Sequence, residues 1–167
     1  MILKKKGFEI MFTEIRDITT ANKNEILALQ IAHSQEGFIE TPAECIEEAE
    51  EVENFVPVGL YLNNTPIGFA MYGKFPDKQE GSRIWLDRYL IDFHHQGKGY
   101  GHVFLKELMQ FLTQKYNCPK IYLSVYENNQ GAIHLYTSHG FRFNGELDDN
   151  GEKVMIWEKD KDKNLNE

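Results

Sequence analysis

The segment from Ile91 to Leu108 combines a glycine-rich loop with the beginning of an amphipathic stretch. It reads IDFHHQGKGYGHVFLKEL, and Lys98 stands within its run of glycines. The first N–H groups of a helix have no intrahelical partners, the helix dipole is positive there, and glycine lets a bulky anion approach the backbone closely. The segment therefore predicts a phosphate-binding helix start. A purely structural turn is the alternative.

Other phosphate-binding loops fit these residues poorly. A dinucleotide fingerprint G-x-G-x-x-G that starts at Gly97 would require glycine where His102 stands. A Walker loop would require Ser or Thr after Gly-Lys, but Lys98 is followed by Gly99. The loop alone leaves the identity of the anion open.

A second segment, ENNQGAIHLYTSHGF, contains Asn129 and, seven residues later, Tyr136. Gln96–Gly101 resembles the Q/R-x-x-G-x-G/A pyrophosphate loop of the GNAT acetyltransferase superfamily, and the second segment resembles that superfamily's Asn…Tyr signature in its LY…GF context. Within the superfamily, PVGLYLNNTPIGFAMYG, WLDRYLID and NGELDDNGEKVM look most like bacterial spermine/spermidine (diamine) acetyltransferases. The resemblance identifies the chain as an N-acetyltransferase.

The resemblance implies acetyl-CoA as the co-substrate. Its pyrophosphate would lie on the N–H groups of Gln96–Gly101, and its pantetheine arm would pair with a strand edge that a β-bulge separates from KIYLSVY. A strand N–H would polarise the thioester carbonyl. The residues assigned to acetyl-CoA are Tyr89, Leu90, Ile91, Gln96, Gly97, Lys98, Gly99, Tyr100, Gly101, Asn129 and Tyr136. For Asn129, an ordinary helix cap is the alternative.

The subfamily resemblance implies that the acceptor is a primary amine of spermine or spermidine, which would attack the thioester directly. Because an alkylamine of pKa about 10.4 is protonated at neutral pH, the site must remove a proton. The resemblance assigns this task to Asp87, and a structural carboxylate beside Arg88 is the alternative. Tyr136 would return a proton to the CoA thiolate, and a core aromatic residue is its alternative.

Further acidic residues precede the second predicted strand. Glu36 is followed by a run of seven glutamates, which are Glu40, Glu44, Glu47, Glu48, Glu50, Glu51 and Glu53. They form either a solvated helix face or, together with Glu36 and Asp87, the lining of a groove for a cationic substrate. No metal site is expected, because the adjacent side chains of His94 and His95 diverge.

Hydrophobic periodicity predicts an α/β (α+β) domain over 12–159 with the element order βααβββαβαββ, which is a mixed central sheet flanked by helices as in the GNAT fold. One helix is expected from Thr20 or Asn22 to Ala32 and another after Pro42. Residues 1–11 are expected to be an extension, with Met11 as a second possible start, and 160–167 a charged tail.

Composition limits the other function classes. The formal net charge is −8, which disfavours nucleic acid as a partner and suits a cationic one. The apolar runs are far shorter than the about 20 residues of a membrane helix, and two cysteines suit a reducing cytoplasm. A homodimer is compatible with exposed strand edges. A GNAT enzyme for a peptide N-terminus, lysine or aminoglycoside, and a non-catalytic module that binds acetyl-CoA or polyamine, remain alternatives.

Overall fold

The computed structural model describes residues 3–6 and 9–160. Its strands are β1 Leu3–Lys6, β2 Glu9–Asp17, β3 Phe55–Leu62, β4 Thr65–Asp77, β5 Gly81–Ile91, β6 Lys120–Val125, β7 Arg142–Leu147 and β8 Lys153–Glu158. Its helices are α1 Lys23–Leu27, α2 Pro42–Glu51, α3 Tyr100–Tyr116 and α4 Gln130–Ser138, and short 3-10 turns lie at His33–Gln35 and Phe93–His95. None of these helices has both the length and the apolar character that crossing a membrane requires.

The strands form one sheet of eight in the order β1-β2-β3-β4-β5-β6-β8-β7. Neighbouring strands are antiparallel except β5 and β6, which are parallel and connected through α3. From β2 onward the element order is the predicted βααβββαβαββ, so the mixed sheet flanked by helices is confirmed.

The helices cover both faces of this sheet. The sheet has a hydrophobic core on each face, and successive side chains of β4 contribute to the two cores in turn. Phe69 and Met71 pack towards α1 and α2, whereas Ala70 and Tyr72 pack towards α3. The α3 side also holds Leu108, which is fully buried. The central strands β4 and β5 are therefore packed on both faces, and this close packing fixes the position of the residues at the end of β5.

The first helix is shorter than the sequence predicts. It covers only Lys23–Leu27, and Asn22 does not cap it with its side chain but accepts a hydrogen bond from the Thr19 N–H at 2.7 Å. The backbone of Gln30 bonds instead to the segment after β5, where its N–H donates to the Asp92 carboxylate and its carbonyl accepts from the Phe93 N–H, both at 2.8 Å. These tertiary hydrogen bonds replace helical ones, so the expected helix to Ala32 is wrong.

The second helix agrees with the prediction. Thr41 caps it and forms a capping box with Glu44, Pro42 occupies the first turn, and Cys45 and Ile46 are buried against the sheet.

The N-terminal segment differs from expectation. Leu3–Lys6 pairs antiparallel with residues 9–12 of β2, so strand structure begins before the predicted boundary at Phe12. This pairing gives hydrogen-bond partners to backbone N–H and C=O groups on the outer edge of β2. The predicted tail lies outside the described residues from position 161 onward.

Candidate active site

The two parallel strands of the sheet separate and open a cleft. Trp85 and Tyr122 form the one β5–β6 pair among the described residues. After Trp85, the edge of β5 that faces β6 has no strand partner in this part of the chain. The cleft has a volume of about 730 Å³. Most of the predicted site residues line it, namely Asp87, Tyr89, Leu90, Ile91, Gln96, Gly97, Gly99, Tyr100, Gly101, Asn129 and Tyr136.

A bulge in β5 lies at the place where the strands part. Met71 of β4 pairs with Arg88 and Tyr72 pairs with Leu86, so Asp87 is an extra residue without a partner on β4. A bulge reverses the side-chain alternation that follows it. Consequently Leu86 and Tyr89 both pack towards α3, although they are three residues apart.

The glycine loop forms the predicted start of a helix. Gly99 caps α3 with φ 84°, and Gly97 has φ 72°, a left-handed conformation that side chains disfavour. A Cβ atom at either glycine would have open space around it. A bulky anion could therefore approach the free N–H groups of α3 from the cleft, and the loop fits the pyrophosphate of acetyl-CoA.

Asp92 holds this loop in place, and the sequence analysis missed it. Its carboxylate is 5% exposed and accepts from Gln30 N at 2.8 Å, His94 N at 3.1 Å and His95 Nδ1 at 3.1 Å. Burial alone would raise the Asp92 pKa, but these bonds hold it below its usual value. An Asp just before a turn is a local signal for such a cap.

Gln96 connects the loop to a distant segment. Its Nε2 donates to Ile91 O at 2.9 Å and to Gln35 Oε1 at 2.7 Å. The 3-10 turn that contains Gln35 thereby becomes one wall of the cleft, which no local pattern predicted.

The other end of the cleft is acidic. Burial raises the pKa of Asp87 to about 6, the adjacent Arg88 guanidinium opposes this rise, and Glu48, Glu40 and Asp148 add to it. Arg88 forms ion pairs with Asp87, with Glu40 at 2.7 Å and with Glu48 at 3.5 Å. An ionised Asp87 would be a stronger base than an ordinary aspartate.

Glu152 is a further carboxylate in the cleft that the sequence analysis missed. It precedes β8 and lines the cleft beside Ser124 and Tyr126 of the β6 end. Burial raises its pKa, as does the charge of Asp148. Because β6 and β8 pair, a residue 65 positions after Asp87 comes to the same acidic end, and only the sheet topology reveals this.

Tyr136 lies on α4 and lines the cleft. Burial raises its pKa well above the usual value, and the charge of Glu152 raises it further. The ring packs edge-on against Phe141 at 5.9 Å between centroids. The phenol is therefore neutral at physiological pH and can donate a proton.

Two other predicted groups make internal hydrogen bonds. The Tyr89 hydroxyl donates to Gly101 O at 2.6 Å, which connects β5 to the start of α3. Asn129 caps α4, where its Oδ1 accepts from Ala132 N at 3.3 Å. Its side chain also lines the cleft, so the cap and a contact with the pantetheine arm are compatible.

The family model for the acetyltransferase (GNAT) family matches residues 13–141. The chain belongs to the GNAT acetyltransferase family. The match begins in β2 and ends directly after α4, so it contains both the glycine loop and Tyr136.

Within the GNAT family the chain is similar to two proteins of Bacillus subtilis. It is 49% identical over 151 residues to the Probable spermine N(1)-acetyltransferase of subspecies natto, a match that covers 89% of this chain and 99% of the relative. It is 48% identical, with the same coverage, to the Spermine/spermidine N(1)-acetyltransferase of strain 168.

The fold is similar to that of solved GNAT structures. The spermidine N-acetyltransferase from Vibrio cholerae, whose structure is in complex with CoA and spermine, superposes with a TM-score of 0.66 at 19% identity. This match covers 88% of the chain and 95% of the Vibrio chain.

Two predicted site residues of this GNAT chain lie away from the cleft lining. The Lys98 ammonium group donates to His94 O at 3.1 Å, and Glu36 Oε1 lies 3.0 Å from His33 Nδ1. Glu36 lines a smaller neighbouring pocket of about 290 Å³. A role of Lys98 with acetyl-CoA and of Glu36 with the acceptor stays a prediction.

The glutamates of the acidic run have different surroundings in the structure. Glu40 lines the main cleft, whereas Glu44 takes part in the capping box and Glu50 pairs with Lys23 at 3.3 Å. No glutamate of α2 lines the main cleft, although Glu48 pairs with Arg88, which does. Among residues 3–6 and 9–160, no cluster of three or more potential metal ligands is found.

Proposed function

We propose that the chain transfers the acetyl group of acetyl-CoA to a primary amine of spermine or spermidine by direct attack on the thioester. The observation that carries this proposal is a single cleft with a glycine-lined helix start at one end and a group of carboxylates at the other. The names of the two Bacillus relatives support the polyamine acceptor.

At the end of the cleft formed by the glycine loop, backbone N–H groups rather than cationic side chains would bind the phosphates of acetyl-CoA. The N–H groups at the start of α3 would hold the pyrophosphate, with Gly97 and Gly99 leaving the space it needs. The unpaired edge of β5 at Tyr89–Ile91 would bond the peptide-like pantetheine arm. One of its N–H groups would stabilise the negative charge on the thioester oxygen.

At the acceptor end, carboxylates would attract and deprotonate the amine. Glu40, Asp87 and Glu152 line the cleft, and a polyamine carries several spaced ammonium groups. Asp87 would take the proton from the ammonium group that reacts, because its pKa of about 6 makes it a stronger base than an exposed aspartate.

The protons balance as follows in this mechanism. The deprotonated nitrogen attacks the carbonyl carbon, a C–N bond forms, and the C–S bond breaks as the tetrahedral intermediate collapses. The Tyr136 phenol donates its proton to the departing thiolate, and the second proton lost by the nitrogen restores the phenol. The products are an N-acetyl polyamine, CoA and the proton on Asp87, which passes to solvent and leaves the carboxylate ionised.

Replacing Gly99 by glutamate should abolish the stabilisation of the fold by acetyl-CoA. The new side chain would enter the open space at Gly99, and its charge would repel the pyrophosphate. In the unchanged protein, acetyl-CoA at about 100 times its dissociation constant should stabilise the fold by about 2.7 kcal/mol. The shift in thermal midpoint measures both effects.

A matched control is Gly81→Glu. Gly81 also has a positive φ and open space around it, but it lies at the start of β5, outside the cleft lining. Both variants carry the same backbone strain, so acetyl-CoA should stabilise only the control. Equal stabilisation of the two folded variants would contradict the pyrophosphate assignment.

The acceptor is tested by the release of CoA with a panel of amines. We expect spermine and spermidine to give the highest kcat/KM, above a diamine, a lysine peptide and an aminoglycoside. The rate should fall with added salt, because screening shortens the reach of the carboxylates to about 8 Å at physiological ionic strength. Preference for the peptide or the aminoglycoside would contradict the polyamine proposal, and no release with any amine would contradict the enzymatic one.

Other features of the proposal come from the sequence. They are a cytoplasmic location, which two cysteines favour, and no nucleic-acid partner, which the net charge of −8 favours. A homodimer is a further prediction, and light scattering during chromatography would measure the mass that tests it.

A further inference from the structure

Arg88 is a buried guanidinium surrounded by carboxylates at the acidic end of the cleft. Its side chain is 18% exposed, and it pairs with Asp87 of its own strand, with Glu40 before α2 and with Glu48 on α2. It also packs close to the Cys45 thiol. Nothing in the mechanism above uses this residue.

The bulge makes the pair of Asp87 and Arg88 possible. In a regular strand, adjacent side chains point to opposite faces and could not pair. Because Asp87 is the extra residue of the bulge, its carboxylate reaches the guanidinium next to it, on the side of the sheet that α2 covers. Arg88 also lines the cleft, so the pair faces the proposed acceptor.

Apart from Arg88, the charged groups that face Asp87 in the described part of the chain are carboxylates. Glu40 and Glu48 face it from the α2 side, and Asp148 faces it from the β7–β8 connection, where Glu152 also lies. A buried carboxyl group in such surroundings takes up a proton unless a cation compensates it. In the structure, Arg88 is the cation that contacts it.

We propose that Arg88 is a positioning residue that keeps the Asp87 carboxylate ionised and aimed into the cleft before the acceptor arrives. The incoming ammonium group then meets a carboxylate that is free to accept its proton. This inference rests on the proposed function in that it takes Asp87 to be the proton acceptor. It also assigns to Arg88 a property of the free protein that can be measured without any substrate.

The first experiment is an NMR titration of the Asp87 carboxyl carbon in protein labelled with ¹³C at aspartate Cγ. The resonance is assigned by its loss in Asp87→Asn. Replacing Arg88 by methionine removes the charge but keeps an unbranched side chain. The Asp87 midpoint should rise by about one to three pH units, which is the usual effect of losing an adjacent opposite charge.

Two further variants keep the proposal falsifiable if Arg88→Met fails to fold. Arg88→Lys retains the charge, so its midpoint should stay close to that of the unchanged protein. Glu48→Gln removes a negative charge that faces Asp87, so its midpoint should fall. An Asp87 midpoint that Arg88→Met leaves in place, or that moves upward in Glu48→Gln, would overturn the proposal.

The second experiment is the pH dependence of kcat/KM with the amine that the panel identifies, because this ratio reports ionisation in the free protein, as the NMR titration does. For Arg88→Met, the acid limb of the profile should move upward together with the NMR midpoint, and a shift of about two units would lower the rate at pH 7 roughly tenfold. The rate should recover above the shifted limb. A loss that is equal at every pH would make Arg88 a merely structural residue and overturn the proposal.

The two experiments separate the failure of this inference from that of the proposed function. If no amine is acetylated, the proposed function fails, while the titration still measures what Arg88 does to Asp87. If polyamines are acetylated but the midpoint does not respond to Arg88, the inference alone fails.

Discussion

Replacing Tyr136 by phenylalanine should lower kcat by roughly 10²-fold or more, the scale of a general acid that is lost. The change removes only the hydroxyl group, and the ring can still pack against Phe141. Without the phenol the CoA thiolate must leave unprotonated, which is slower in a buried site. The dissociation constant of acetyl-CoA should stay within about twofold, since the phenol acts on the transition state. Steady-state rates and calorimetric titration measure the two quantities.

Tyr116→Phe is the matched control for this change. Tyr116 ends α3 and packs against Tyr72 in the core, so its hydroxyl lies away from the cleft. We expect its kcat to remain near that of the unchanged protein. A Tyr136→Phe variant that retains half or more of the turnover would mean that Tyr136 serves packing and that the thiolate needs no acid from the protein.

Replacing Asp87 by asparagine should lower kcat by roughly 10²- to 10⁴-fold at pH 7, because it removes the proposed base while nearly preserving the side-chain volume. The unchanged protein should be active above the Asp87 pKa of about 6 and lose activity as the pH falls through it, since only the ionised carboxylate accepts a proton. The variant should lack this acid limb. Initial rates between about pH 5 and pH 10 measure both profiles.

The deficit of Asp87→Asn should also shrink as the pH approaches the amine pKa of about 10.4, because free amine then becomes available without a base. Asp149→Asn is the control, since Asp149 is exposed in the β7–β8 connection. A deficit that is constant across the pH range would show that Asp87 holds the acceptor without taking its proton.

Patterns of neighbouring residues were sufficient to predict several elements of the fold and part of the site. The run of glycines after an apolar strand predicted the start of α3, because helix capping and close backbone approach depend only on neighbouring residues. Pro42 predicted the start of α2 for the same reason, and the structure adds Thr41 as its cap. The second motif predicted one short helix, which Asn129 caps and which contains Tyr136, and both residues line the cleft.

Long-range pairing decided the rest. The end of α1 depends on the hydrogen bonds between Gln30 and the segment at Asp92, which is 62 residues away. Glu152 joins the acidic end of the cleft only because β8 pairs with β6. Periodicity within one segment contains no information about such contacts.

The amino-acid sequence by itself determined the family, the order of the elements and the glycine loop, because these depend on patterns within short segments. The tertiary structure alone decided how the acidic end is arranged. The bulge at Asp87 forms when β5 pairs with β4. Arg88 can pair with Glu40 and Glu48 only when α2 packs on the sheet. The ionisation of Asp87 depends on burial, on the adjacent Arg88 and on carboxylates distant in sequence, and this arrangement exists only in the folded chain.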